Sequence, residues 1–300
     1  MKAILVQPPF VQLNAPYPAV HYLETFLRGR GWEARAFDHS IALYRRVFSR
    51  RGLKAIFSRV RELDDSRAAG TARGEPGEFE LMLSYQPVYE AWIDDICAFL
   101  SGRDPALAHR LASAVELPRG PRAQAFLAER GERISSEEAR GLATRILDDL
   151  GDFIAAALDP DFGTVRYAER IASSRADFDS IRSALDGSWI MRECYRPFLD
   201  DFWRAEARGA APDLILISIP FPGCLAGALE CARSARRIFG GRSESGPVIV
   251  LGGGYISTEL RDLRDTGIFD FCDYLAFDAG YGSLASIIAK EWGERGPEAR

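Results

Sequence analysis

Three consecutive glycines, Gly252 to Gly254, directly follow the apolar run Val248 to Leu251 near the end of the chain. Glycine has no Cβ, so such a run lets the backbone turn sharply and approach a large flat group closely. A loop of this kind can hold a phosphate, a dinucleotide or another extended cofactor against backbone N–H groups. The neighbouring residues decide which of these ligands the sequence favours.

The glycine run does not match the fingerprints of common nucleotide-binding folds. A P-loop requires Gly-x4-Gly-Lys-Ser/Thr, and the sequence contains no such string. A dinucleotide fingerprint requires Gly-x-Gly-x-x-Gly after the first strand. Here the sixth position counted from Gly252 is Ser257, and the run follows the fourth predicted strand. A phosphoacceptor receiver domain would end its third strand with an aspartate, where this chain has Ser218.

Other catalytic and metal-binding patterns are also missing from the sequence. There is no Gly-x-Ser-x-Gly motif, and the histidines, His21, His39 and His109, follow no metal-ligand spacing. The five cysteines are Cys97, Cys194, Cys224, Cys231 and Cys272. Their odd number and wide spacing favour reduced, buried thiols over disulfides or a zinc site. We therefore predict no catalytic residue and no metal ligand in this chain.

Short strands and helices alternate at both ends of the chain. KAILVQ (2–7), a helix over 19–31 and EARAFD (33–38) form a strand–helix–strand unit. From Pro212 the pattern resumes, with strands predicted at 213–219, 247–251 and 271–277 and helices at 223–239, 256–265 and 281–292. These elements predict an α/β fold. It is a doubly wound, five-stranded parallel sheet of Rossmann-like or flavodoxin-like type, in the order 2-1-3-4-5.

The middle of the chain contains predicted helices and no convincing strand. Apolar residues at helical spacing predict helices at 42–62, 78–101, 105–115, 121–131, 135–160, 177–186 and 192–208. We therefore predict a sheet domain built from 1–40 and 210–293, a large all-helical insertion over 41–209, and a linker or tail over 294–300.

Charge and hydropathy exclude several classes of partner. The net charge of -5 gives no general attraction to nucleic acid or to an anionic membrane. No apolar run approaches the roughly 20 residues that span a bilayer. Pro8 and Pro9 interrupt the N-terminal apolar run too early for a signal peptide. We expect a cytoplasmic protein with a small-molecule cofactor and without nucleic-acid or membrane partners.

Four predicted loops meet at the carboxyl edge of the sheet, where open parallel sheets bind ligands. They read PPFVQLNAPYP after strand 1, PFPGCLAG after strand 3, GGGYIST after strand 4 and DAGYG after strand 5. None contains Lys or Arg, which weighs against a triphosphate site. Together they predict an apolar shelf with backbone donors. Besides the glycine run, its candidate binding residues are Pro9, Phe10, Tyr17, Phe221, Gly223, Tyr255, Asp278 and Gly280.

Residues 1–40 and 212–292 resemble the cobalamin-binding domain of B12-dependent radical SAM proteins. The resemblance rests on ILVQPPF with PYPAVHYLETFLRGRGWEARAFD, on LILISIPFPGCLAGALECARSARR and on VIVLGGGYISTELR. It implies a Rossmann-like sheet that holds the flat corrin ring over its carboxyl edge and threads the nucleotide tail between strands. It also implies that Ser218, with Ile219 and Pro220, lies near the tail. Gly252, Gly253 and Gly254 would let the tail and ring pass close to the backbone.

Two features depart from the pattern of that family. Cobalamin proteins that place a histidine on cobalt carry Asp-x-His-x-x-Gly after strand 1, where this chain has PPFVQLNAPYP. The resemblance therefore implies base-off cobalamin without a protein histidine on the metal. A radical SAM enzyme needs a cysteine triad, usually Cys-x3-Cys-x2-Cys, for a [4Fe-4S] cluster, and this chain has none.

We therefore expect SAM and the [4Fe-4S] cluster only in a further radical SAM barrel domain, in cis after Arg300 or in trans on another chain. In the full enzyme the resemblance implies methyl transfer or related radical chemistry. The sequence favours this truncated form over a stand-alone cobalamin carrier, because EWGERGPEAR after the last predicted helix has the composition of a linker.

Two other classes of function stay open. One is a nucleotide-binding Rossmann enzyme that depends on NAD or a sugar nucleotide, with the glycines on a pyrophosphate; the lack of basic residues in the four loops weighs against it. The other is a protein-interaction scaffold whose binding surface is the helical insertion. Because the chain carries no complete catalytic site, the sequence does not decide whether it is itself an enzyme.

Overall fold

The computed structural model describes residues 1–11, 17–70, 77, 79–114, 116–130, 134–160, 162–163, 178–242 and 245–293. The chain forms two compact units. The sheet unit is Met1–Leu43 with Val165–Arg300, and the helical unit is Tyr44–Thr164. The predicted tail over 294–300 and residues 12–16 of the predicted loop after strand 1 lie outside the described residues.

The sheet unit contains a five-stranded, all-parallel sheet in the order β2-β1-β3-β4-β5, which confirms the predicted α/β fold. Its strands are β1 (Lys2–Gln7), β2 (Glu33–Asp38), β3 (Leu214–Ser218), β4 (Val248–Gly252) and β5 (Tyr274–Ala276). Ser218 pairs with Gly252, and Gly252 pairs with Ala276, so the last three strands end together. Every residue of β3 is buried, which accounts for its continuous apolar sequence.

Most of the other described residues form α-helices. They are α1 (Ala19–Arg28), α2 (His39–Val47), α3 (Arg50–Ala68), α4 (Glu80–Ser84), α5 (Gln86–Leu100), α6 (Leu107–Ser113), α7 (Pro121–Ala128), α8 (Ala139–Ala157), α9 (Phe178–Gly187), α10 (Arg196–Ala207), α11 (Leu225–Phe239), α12 (Gly254–Thr258) and α13 (Gly280–Trp292). A π-helical turn spans Ile190–Tyr195, and 3-10 turns span Pro222–Cys224 and Thr266–Asp270. None of the helices in the described ranges is long and apolar enough to cross a membrane.

Several predicted helices are shorter than expected. The predicted helix over 42–62 is two helices, because the Ser49 side chain caps α3 by accepting a hydrogen bond from Gly52 N at 3.0 Å. The predicted helix over 78–101 is likewise divided into α4 and α5 at Tyr85. The predicted helix over 256–265 is wrong after Thr258, where α12 ends and turns follow.

One face of the sheet packs against α1 and α13. Leu5, Leu216 and Val250 on the strands form a core with Val20 of α1 and Leu284 of α13, all of them buried. Strand residues whose side chains point to the other face of the sheet, such as Ile4 and Ile217, are buried as well. Both faces are therefore covered, as expected for a doubly wound sheet.

The sheet unit also contains α10 and α11, which pack along each other. Glu230 of α11 is fully buried, and its carboxylate accepts a hydrogen bond from Arg196 Nε of α10 at 2.7 Å. Asp200 of α10 accepts a hydrogen bond from the Ser234 hydroxyl of α11 at 2.8 Å. Because a buried carboxylate needs a compensating partner, these contacts fix the register of the two helices.

The helical unit has its own aromatic core and internal caps. Phe57 of α3 stacks on Phe153 of α8 with ring centroids 5.1 Å apart. The buried carboxylate of Asp149 accepts hydrogen bonds from the backbone N–H groups of Arg122 at 2.8 Å and Ala123 at 3.0 Å. These N–H groups belong to the first turn of α7, so Asp149 caps that helix from a neighbouring one. Burial raises the pKa of this carboxyl group.

Candidate functional site

A cavity of about 460 Å³ opens at the carboxyl edge of the sheet, within the sheet unit. Its deeper wall is apolar and includes Leu216 of β3, Val250 of β4 and Leu284 of α13. Tyr22 of α1 and Tyr281 of α13 also line the cavity and are exposed, so they mark its mouth. The volume lies within the range of small-molecule sites, about 300–1,000 Å³.

The cavity brings together part of the predicted site. Its predicted lining residues are Ser218, Gly252, Gly253, Gly254, Asp278 and Gly280. They come from the ends of β3, β4 and β5, which the parallel register places side by side. This is the edge at which open parallel sheets bind ligands.

The glycine run packs backbone against backbone with the end of β3. Gly253 has φ of +107°, and a Cβ at this position would lie 2.6 Å from the carbonyl oxygen of Ile219. Ile219 N donates to Gly252 O at 2.7 Å, and Tyr255 N donates to Ile219 O at 3.0 Å. Glycine is required at 253 by both the backbone conformation and the close approach. The loop therefore covers the ends of β3 and β4 without adding side chains to the cavity.

Two polar side-chain atoms near the ends of β1 and β3 have no hydrogen-bond partner among the described residues. Ser218 is only 7 % exposed and lines the cavity, and its hydroxyl bonds to no residue that the structure describes. Gln7 Nε2 donates to Ser218 O at 3.4 Å, while the buried Gln7 Oε1 has no partner among the described residues. Because Ser218 lines the cavity and its hydroxyl has no described partner, it offers a donor and an acceptor for a polar atom of a ligand.

A small polar network joins the loops after β4 and β5 at the mouth. The Ser257 hydroxyl donates to Gly253 O at 3.0 Å and accepts from Asp278 N at 2.9 Å. Asp278 has φ of +61°, in the left-handed region. Its carboxylate forms an ion pair with Arg261, whose Nε also donates to Ser257 O at 2.9 Å. Ser257 and Arg261 thus set the spacing between the two loops.

The other predicted site residues do not line the cavity. They are Pro9, Phe10, Tyr17, Ile219, Pro220, Phe221, Gly223 and Tyr255. Pro9 and Phe10 are buried against the start of α11. A Cβ on Gly227 would lie 2.2 Å from Pro9 O, and Cys224 Sγ donates to Phe10 O at 3.3 Å. The exposed ring of Phe221 contacts Tyr17 edge to face at 5.3 Å between centroids.

Sequence reasoning missed the walls that the helices supply. Val20 and Leu23 of α1, with Leu284 of α13, line the cavity although their helical spacing indicates only a core face. It also gave no role to Arg261, which follows α12 and contacts the lining residues Ser257 and Asp278. In the sequence, Arg261 could have been noticed as a basic residue seven positions after the glycine run.

His39 lies buried away from this cavity, and its Nδ1 lies 3.3 Å from the Tyr195 hydroxyl. Its Nε2 has no partner in the described part of the chain, and Phe198 and Phe202 contact the ring at centroid distances of 5.1 and 4.6 Å. Burial lowers the pKa of His39 to about 3, so the imidazole is neutral at physiological pH.

The cysteines in the described residues are free thiols, and burial raises the pKa of Cys224 to about 12. Within the described ranges, no group of three or more His, Cys, Asp or Glu side chains could hold a metal ion. None of the described residues that line the cavity is a cysteine or a histidine.

No family model matches this chain, and no curated protein or solved structure matches it either.

Proposed function

We propose that the sheet unit binds cobalamin, with the nucleotide tail in the cavity and the corrin ring over the carboxyl edge. One observation carries the proposal: an apolar cavity of about 460 Å³ lies below a side-chain-free glycine loop, with the unpaired Ser218 hydroxyl in its wall. This combination suits a ligand whose flat apolar part is buried and whose larger part stays outside.

The chemistry of the tail fits the walls of the cavity. A whole cobalamin is larger than the cavity, so only its benzimidazole nucleotide can enter. The benzimidazole is flat and largely apolar, which matches Leu216, Val250 and Leu284. Its free ring nitrogen is a hydrogen-bond acceptor, and Ser218 has a hydroxyl proton to donate. The ligand would thereby give the Ser218 hydroxyl a hydrogen-bond partner.

Placement of the benzimidazole tail in the cavity favours the base-off form of cobalamin. With its benzimidazole in the cavity, the tail would not coordinate cobalt. Bound cobalamin would supply a cobalt centre that can carry a methyl group. The chain's own residues would bind the tail, orient the ring and exclude water from the face of the ring that lies against the sheet edge. The same proposal includes a radical SAM domain as the catalytic partner of this chain.

A direct binding measurement tests this function. Purified protein is mixed with hydroxocobalamin, free ligand is removed by gel filtration, and the visible spectrum of the protein fraction is recorded. We expect a retained corrinoid with a base-off spectrum. A protein fraction without corrinoid that instead binds NADH would favour the nucleotide-binding alternative. Retention of neither ligand would favour the protein-interaction scaffold.

Filling the cavity is expected to abolish retention. A Cβ on Gly252 would make ordinary contacts with Ala276 at 3.4 Å, so Gly252→Leu keeps the fold and places its remaining atoms in the cavity. We expect hydroxocobalamin to bind about 100-fold more weakly, which corresponds to about 2.8 kcal/mol. Titration followed by absorbance measures the change. Gly209→Leu is the matched control, since Gly209 is exposed with no atom near its Cβ position. Equal affinities of the two variants would contradict the assignment.

A further inference from the structure

Arg261 does not itself line the cavity, but it contacts Ser257 and Asp278, which do. Its Nε donates to Ser257 O at 2.9 Å, and one terminal nitrogen pairs with the Asp278 carboxylate. The guanidinium carbon lies 5.4 Å from the centroid of the Phe277 ring. A backbone carbonyl, a carboxylate and an aromatic ring therefore hold the guanidinium in one orientation beside these two lining residues.

The guanidinium retains free donors in that orientation. Arginine has five N–H donors, and the two contacts with Ser257 and Asp278 leave the others without a partner among the described residues. The Arg261 side chain is 47 % exposed, so an incoming ligand can reach it. A planar fork of N–H donors matches the oxygen atoms of phosphate and carboxylate groups. Arg261 is thus an oriented anion-binding group beside an apolar cavity.

The order of chemical groups in the proposed ligand places its anion at this point. In cobalamin a single phosphodiester connects the corrin ring to the ribose of the benzimidazole nucleotide. If the benzimidazole occupies the cavity and the ring stays outside, the phosphodiester must cross the mouth. The loops after β4 and β5, which Ser257 and Arg261 join, border that mouth.

We propose that Arg261 binds the phosphate ester of the nucleotide tail; this inference rests on the proposed function. Asp278 orients the guanidinium and neutralises it while the site is without ligand. When the phosphate binds, it takes the free N–H donors, and the pair with Asp278 stays in place. Arg261 accordingly acts as a specificity residue that distinguishes a tail with phosphate from one without.

The two fragments of the tail that differ only by phosphate test this inference. They are α-ribazole and its 3′-phosphate, used as competitors that displace hydroxocobalamin from the full chain. In the wild type we expect the phosphate to strengthen binding about tenfold, as one charge-assisted contact at a partly exposed site would. In Arg261→Gln the two fragments should bind with equal affinity. Arg264→Gln, an equal change of charge at an exposed position outside the cavity, should keep the tenfold preference.

The remaining outcomes overturn the inference in distinguishable ways. If Arg261→Gln weakens both fragments equally, Arg261 only supports the loops and does not bind phosphate. A tenfold preference that survives in Arg261→Gln places the phosphate elsewhere. If neither fragment displaces hydroxocobalamin, the tail is not in the cavity, although corrinoid binding stands. If the wild type retains no corrinoid at all, the proposed function fails together with this inference.

Discussion

Gly253→Ala is expected to lower the free energy of unfolding of the sheet unit by about 3 kcal/mol. The backbone at Gly253 has φ of +107° and ψ of -180°, a conformation that is essentially restricted to glycine. The added Cβ would also lie 2.6 Å from Ile219 O and 2.7 Å from Ile219 N, which are backbone atoms that cannot rotate away. Urea unfolding, with hydrogen exchange of the β3 and β4 segments, measures the change.

Gly252→Ala provides the matched control for Gly253→Ala. Its Cβ would lie 3.4 Å from Ala276 atoms, an ordinary contact distance, and no left-handed φ is required there. We expect its free energy of unfolding to change by less than about 1 kcal/mol. Equal destabilisation by the two variants would show that the two positions do not differ as the geometry requires. A large side chain at Gly253 would destabilise the sheet unit itself. Such a substitution is therefore unsuitable for blocking the cavity.

The second large effect is a loss of stability in acid that originates at His39. Burial lowers the pKa of His39 to about 3, whereas an unfolded histidine titrates near 6.5. Below pH 6.5 the unfolded chain therefore binds a proton that the folded chain does not, and folding becomes less favourable. This group contributes its full stability above pH 6.5 and loses roughly 1.4 kcal/mol per pH unit as the pH falls toward 3.

His39→Gln should flatten this acid dependence while retaining a polar side chain near Tyr195. Urea unfolding of the wild type and the variant between pH 7.5 and pH 4.5 gives the difference in slope, in which other titrating groups cancel. His21→Gln is the control, because the His21 side chain is exposed on α1. An unchanged slope in His39→Gln would show that another group causes the acid sensitivity.

The sheet could be predicted from the sequence because its strands have distinctive patterns. LILIS and VIVL are continuous apolar runs, typical of strands with both faces covered, and the crossover helices between them demand parallel pairing. The helix boundaries were less predictable. At Ser49 a capping hydrogen bond ends one helix and begins the next within a continuous helical pattern. The spacing of apolar residues does not reveal a single side-chain hydrogen bond.

The edge of the sheet at which the cavity lies was predictable, but the residues that line the cavity were only partly so. The parallel sheet dictates that Ser218, Gly252 and Asp278 lie near one edge. The direction of each loop is not dictated, and the first loop packs Pro9 against Gly227 instead of lining the cavity. Leu284 reaches the cavity through helix packing, and Arg261 reaches the lining residues Ser257 and Asp278 through turns. Both depend on contacts between residues distant in sequence.

The electron paramagnetic resonance spectrum of cob(II)alamin bound to the wild-type protein tests the central proposal most directly. In free base-on cobalamin, the axial benzimidazole nitrogen splits the cobalt lines. A tail buried between β3, β4 and α13 predicts a bound base-off spectrum without nitrogen splitting. A bound spectrum that retains the nitrogen splitting would contradict the placement of the tail in the cavity.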